Sequence, residues 1–76
     1  MPHVIIKMLA GRSDADKARL ANEVTRAVMK VTGNGEQSVS VAVEDIELQD
    51  WTEKVYNVDI LPHMDALFKK PGYQPF

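Results

Sequence analysis

One long amphipathic segment separates two short apolar runs, and that order restricts the fold more than any other feature of the chain. In residues 14–31 (DADKARLANEVTRAVMKV) the apolar side chains Ala15, Ala18, Leu20, Ala21, Val24, Ala27, Val28 and Val31 recur mostly at three- and four-residue steps, the spacing of one helical face. Lys17, Arg19, Asn22, Glu23, Arg26 and Lys30 take the other side. Ser13 reads as the N-cap, with Asp14 and Asp16 in the first turn, where carboxylates favour the helix dipole. Gly33-Asn34-Gly35 supplies left-handed conformations for the stop. Before the helix, residues 4–9 (VIIKML) are apolar enough for a strand covered on both faces. After it, residues 38–44 (SVSVAVE) place Val39, Val41 and Val43 on one face of a second strand.

Strand, helix and strand in that order form a βαβ unit, whose strands run parallel with a right-handed crossover. The lengths agree. A helix of about 18 residues spans roughly 27 Å, and a strand of about seven residues roughly 23 Å, so the helix carries the chain back along the sheet. Further on, Asp50-Trp51-Thr52-Glu53 reads as an N-cap box. Pro62 interrupts the segment that follows, which predicts a break, a new helical turn near Asp59 and helix to about Lys70. Pro71-Gly72 stops it, and residues 73–76 read as irregular. There is no internal repeat or linker, and residues 1–76 form a single domain.

A chain of 76 residues buries only about 60–65% of the surface its unfolded form exposes, and needs further support. It has no cysteine, which removes disulfides and thiolate metal sites together. His3 and His63 lack ligand-like spacing, so no metal site is expected. A two-stranded parallel sheet is not viable alone. The expected remedy is a homo-oligomer in which a symmetric pair of chains makes a four-stranded sheet. The net charge of −2 and the lone Lys69–Lys70 pair argue against a nucleic-acid partner. No run approaches the roughly 20 apolar residues of a membrane span, and no signal peptide is visible, which fits a cytoplasmic protein.

Pro2 directly after Met1, the run PHVIIKMLAGRSDADK, the helix, SVSVAVEDI and Trp51 together resemble the 4-oxalocrotonate tautomerase family. The final third, DILPHMDALFKKPGY, resembles its longer, phenylpyruvate-tautomerase-like branch. No one motif is specific; their order over most of the chain carries the resemblance. It implies an α/β fold of β-α-β protomers in dimers or hexamers, with active sites at subunit contacts, no cofactor and a small 2-oxo acid enol as substrate. The extra C-terminal helix of the longer branch implies a dimer. The family's base, the amino-terminal proline, falls on Pro2 after removal of Met1. Its carboxylate-binding arginine falls on Arg12, and its aromatic wall on Trp51. The second arginine of the namesake enzymes is replaced by Ser40, which speaks against their dicarboxylate substrate.

The residue chemistry fits those roles. A terminal proline offers a secondary amine free of amide resonance, whereas a retained Met1 would make its nitrogen an amide. An ordinary α-amino group titrates near ~8, and an apolar pocket with a neighbouring cation lowers that value towards neutrality. Pro2 would take the enol hydroxyl proton or deliver a proton to carbon. Arg12 can grip a carboxylate bidentately, although read alone it is a solvated loop arginine. Trp51 serves as an apolar wall or as plain core. Ser40 donates a hydrogen bond to substrate or faces water. His3 is placed to tune Pro2, but reads first as a half-buried strand residue; His63, Tyr56 and Tyr73 read as structural or solvent-facing. Two other functions stay open, a dehalogenase or decarboxylase using a protonated proline, and a non-catalytic dimeric βαβ module.

Overall fold

Strand β1 spans His3–Leu9 in the computed structural model, which describes residues 1–74. It pairs in parallel with β2, Ser40–Ile46, in the register His3 to Ser40 through Leu9 to Ile46. Helix α1, Asp14–Thr32, connects them, and the expected βαβ order holds. Ser13 caps α1, its hydroxyl accepting from the Asp16 N–H at 3.1 Å. At the other end the Gly33 N–H donates to Met29 O with φ at 76°, a left-handed conformation that suits glycine. Within Gly33-Asn34-Gly35 only Gly33 has a positive φ; Gly35 stays extended at φ −75°.

Side-chain parity then assigns the faces. Val4, Ile6 and Met8 of β1 lie opposite Val41, Val43 and Asp45 of β2 on the face that meets α1, where Lys17 Nζ donates to Asp45 at 2.8 Å. Leu20, Ala21, Val24 and Val28 turn inward on the helix, whereas Ala15, Ala18, Ala27 and Val31 of the expected stripe are exposed. The other face carries Ile5 and Leu9 opposite Ala42 and Ile46. The chain covers it only partly, through Lys7 Nζ donating to Asp59 at 2.6 Å, and Ile5 keeps 54% of its surface exposed. The cover that β1 calls for on both faces is therefore incomplete in one chain.

The second strand begins and ends two residues later than its apolar pattern suggests. Residues Glu36–Ser38 form a 3₁₀ turn, with the Ser38 N–H and hydroxyl both donating to Gly35 O, so Ser38 is tied back out of the sheet. Asp45 remains in the strand because Lys17 neutralises it.

The C-terminal third departs further. Asp50 does not cap a helix; it ends a 3₁₀ turn over Leu48–Asp50, and its carboxylate accepts from Lys54 Nζ at 3.4 Å. A π-helical segment follows at Thr52–Ile60, and the Leu61 N–H closes it onto Tyr56 O, five residues back. Pro62 has no N–H to continue that pattern, and a 3₁₀ stretch over Leu61–Ala66 replaces it, with His63 outside helical geometry. Helix ends at Ala66 rather than near Lys70, because Leu67 turns extended at ψ 126°. Tyr73 and Gln74 adopt no regular structure, as expected; residues 75 and 76 lie outside the described residues.

Among the described residues only Val55 and Tyr56 are buried. The accessible surface of 5851 Å² exceeds the roughly 4,650 Å² of a compact monomer of this mass. Part of the surplus is apolar, with Ile5, Leu9, Val31, Leu48, Val58 and Leu61 exposed in the single chain. No helix among the described residues is long and apolar enough to cross a membrane.

Candidate active site

Parallel pairing sorts the sequence-selected residues into two groups at opposite ends of the sheet. Pro2 precedes β1 and is half-buried, and Met1 ahead of it is fully exposed. The Ser40 N–H donates to Pro2 O at 3.2 Å, which pins the start of β2 beside the residue expected to carry the base. His3 and Ser40 occupy one register pair, and His3 Nδ1 and Ser40 Oγ share a hydrogen bond of 2.6 Å. Both side chains are exposed, so His3 is not the half-buried strand residue that its neighbours suggest.

Arg12 lies past the other end of β1. A strand of seven residues extends roughly 23 Å. Within one chain Pro2 and Arg12 therefore stand at opposite ends of the sheet. Arg12 sits in the loop ahead of α1, with its side chain 65% exposed and Asp16 at 3.8 Å. Arg19 approaches the same Asp16 at 3.8 Å, one helical turn on. Met8 and Leu20 form the apolar floor beneath these charges, in an open hollow of ≈310 Å³ that Lys17 also lines. The arrangement presents two exposed guanidinium groups loosely held by one carboxylate, which a ligand carboxylate could displace.

Trp51 follows the Arg12 end of β2, after the Leu48–Asp50 turn. It is half-buried, and its indole N–H donates to the Tyr73 hydroxyl at 2.9 Å. Tyr73 in turn packs on Tyr56 with ring centroids 5.9 Å apart at 54°. Within one chain Trp51 thus belongs to an aromatic group anchoring the C-terminal segment. Tyr56 is structural, as the sequence suggests; His63 is exposed.

Two lysines are electrostatically perturbed, and both tie elements together. The hydrogen bond to Asp59 raises the Lys7 pKa above its ordinary value, and the hydrogen bond to Asp45 does the same for Lys17. Among the described residues no cluster of His, Cys, Asp and Glu could hold a metal ion.

Sequence reading missed the contacts of His3, Asp16 and Tyr73. His3 and Ser40 are 37 positions apart, and only the strand register joins them. The Arg12–Asp16 contact was in reach, since an arginine four residues before an aspartate at a helix start is a recognisable pair.

Comparison with known proteins points in one direction. Residues 2–54 match the family model described as "Tautomerase enzyme". A probable tautomerase of Xylella fastidiosa is 45% identical over 73 residues, covering 96% of this chain and 89% of the relative. Tautomerase PptA of Cronobacter sakazakii is 37% identical over 75 residues, covering 97% and 99%. Among solved structures, TomN, a 4-oxalocrotonate tautomerase homologue of the tomaymycin biosynthetic pathway, superposes with a TM-score of 0.64 at 30% identity, covering 66% of this chain and 77% of that one. The full-length matches include the C-terminal third, beyond the residues of the family model.

Proposed function

The chain belongs to the tautomerase family, an isomerase family, and from that premise we propose that it interconverts keto and enol forms of small aromatic 2-oxo acids such as phenylpyruvate. In this reading Met1 is removed and the freed Pro2 amine works at carbon. It takes the α-proton on enolisation and returns it on ketonisation. Met1 is fully exposed, which is compatible with that processing. Arg12 holds the substrate carboxylate, and its charge beside the pocket disfavours the ammonium form of Pro2, leaving a base poised near neutral pH.

The observation that carries the reading is the separation of Pro2 from Arg12 by the length of β1. It supports a site completed by Arg12 of a second copy, in a dimer built by extending the two-stranded sheet. The surplus surface supports association of copies, and a copy packed over Ile5 and Leu9 would be a face contact separate from the extended edge. Ser40 lines the wall beside Pro2, and Trp51, at the Arg12 end of its chain, would come from the second copy together with Arg12. Ser40 stands beside Pro2 without a charge, so a second substrate carboxylate there would lose its hydration uncompensated. An aryl ring would instead gain about 25 cal/mol per Å² of apolar surface buried. An aromatic monocarboxylate is accordingly favoured over a dicarboxylate.

The decisive experiment compares the mature protein with a chain carrying a non-cleavable N-terminal extension, both checked by mass spectrometry. Phenylpyruvate enol decay is followed in the ultraviolet. Mature protein is expected to be active, Pro2→Ala partly active, and the extended chain inactive. Full activity in the extended chain would remove Pro2 as the base.

A further inference from the structure

Keto–enol interconversion moves two protons, one at carbon and one at oxygen, and a single amine cannot serve both ends at the same instant. His3 and Ser40 have the placement the oxygen end requires. They are joined by the 2.6 Å hydrogen bond, and Ser40 is anchored through its backbone to Pro2 itself. Both side chains are exposed in the single chain, at the Pro2 end of the face that carries Ile5 and Leu9.

We propose that Ser40 and His3 form the proton path for the oxygen end of the reaction, an inference that rests on Pro2 acting at carbon. In ketonisation the enol O–H bond breaks as its proton passes to Ser40 Oγ, while the serine's own hydroxyl proton passes to Nδ1 of neutral His3. Meanwhile the Pro2 ammonium gives up a proton to form the new C–H bond, and the enol electrons close the C=O bond. The chain is left with a neutral amine and a cationic imidazole. The exposed ring returns its proton to water and Pro2 takes one back, so protons balance and no co-reactant is needed. Enolisation runs the same steps in reverse. Ser40 touches the substrate; His3 is a positioning residue that acts through it.

The groups around the pair leave His3 free for this exchange. On the same sheet face the nearest ionisable pair is Lys7 and Glu44, with Asp59 of the C-terminal segment on Lys7. Glu36 sits in the turn before β2. The α1 face is tied to the sheet by Lys17 on Asp45, towards the other end of the strands. Among the described residues no ion pair engages His3.

The test uses mature protein lacking Met1 and phenylpyruvate enol. Ser40→Ala and His3→Leu should each lower kcat about tenfold or more, with KM changed less, and the double variant should be no slower than the slower single one. His3→Asn keeps a hydrogen-bonding group where Nδ1 lies but cannot accept the proton. It should stay slow, with KM close to that of the natural protein. Circular dichroism checks that each variant folds. Wild-type kcat in His3→Asn would overturn the proposal, as would single effects that multiply in the double variant. Failure of the Pro2 reading looks different: the chain with the non-cleavable extension would stay fully active, whatever the His3 and Ser40 variants do.

Discussion

Ile5→Asp tests whether the open sheet face is an interface between copies. Full burial of an isoleucine side chain is worth about 1.5–3 kcal/mol. Ile5 keeps 54% of its surface exposed in the single chain, so about half of that, ~0.8–1.6 kcal/mol, remains to be gained on association. A two-fold dimer contains the residue twice, and the total becomes ~1.6–3.2 kcal/mol. At about 1.4 kcal/mol per tenfold change, the dissociation constant should rise about 15- to 200-fold. A carboxylate forced into a dry interface adds to the loss. Sedimentation or light scattering over a concentration series measures the shift, with circular dichroism confirming that the chain still folds. An unchanged association midpoint with native circular dichroism would show that no second copy covers this face. A natural protein that is monomeric at micromolar concentration would end the argument for association altogether.

Arg12→Ala should lower kcat/KM for 2-oxo acid enols by about 10²-fold, since a lost charge-assisted hydrogen bond costs roughly 1.5–3 kcal/mol and lost polarisation of the reacting oxygen adds to it. A change below about threefold would make Arg12 an ordinary surface residue. Ser40→Arg places a cation beside Pro2 and should move the ratio of kcat/KM values towards 2-hydroxymuconate and away from phenylpyruvate enol; a natural protein that already prefers the diacid would refute the uncharged-pocket argument. The raised pKa of Lys7 means that, while Asp59 is ionised, its link to Asp59 stabilises the fold below the ordinary lysine value of 10.5, and is lost as pH rises through the higher folded value. Lys7→Met should therefore unfold at lower urea than the natural protein at pH 7, with the gap closing in strong alkali; a gap that persists there would assign the effect to the lysine's methylenes instead.

Elements whose causes are local were legible in the chain alone. Ser13, the first-turn aspartates and Gly33 bound α1 because capping involves only neighbouring backbone groups. The strand–helix–strand order sufficed for the parallel pair, because no shorter connection joins parallel strands. Most of Pro2, Arg12, Trp51 and Ser40 as candidates came from resemblance, since an isolated arginine or tryptophan carries no address. What tertiary structure decided has non-local causes. Asp45 stays in β2 because Lys17 reaches it from another element, and the π-helical segment ends where Pro62 withholds a donor. Register, not spacing along the chain, sets His3 against Ser40, and the rise of β1 parts Pro2 from Arg12. Pairing across a sheet depends on which backbone amides meet, and that is settled only when the two strands and the helix between them pack as one body.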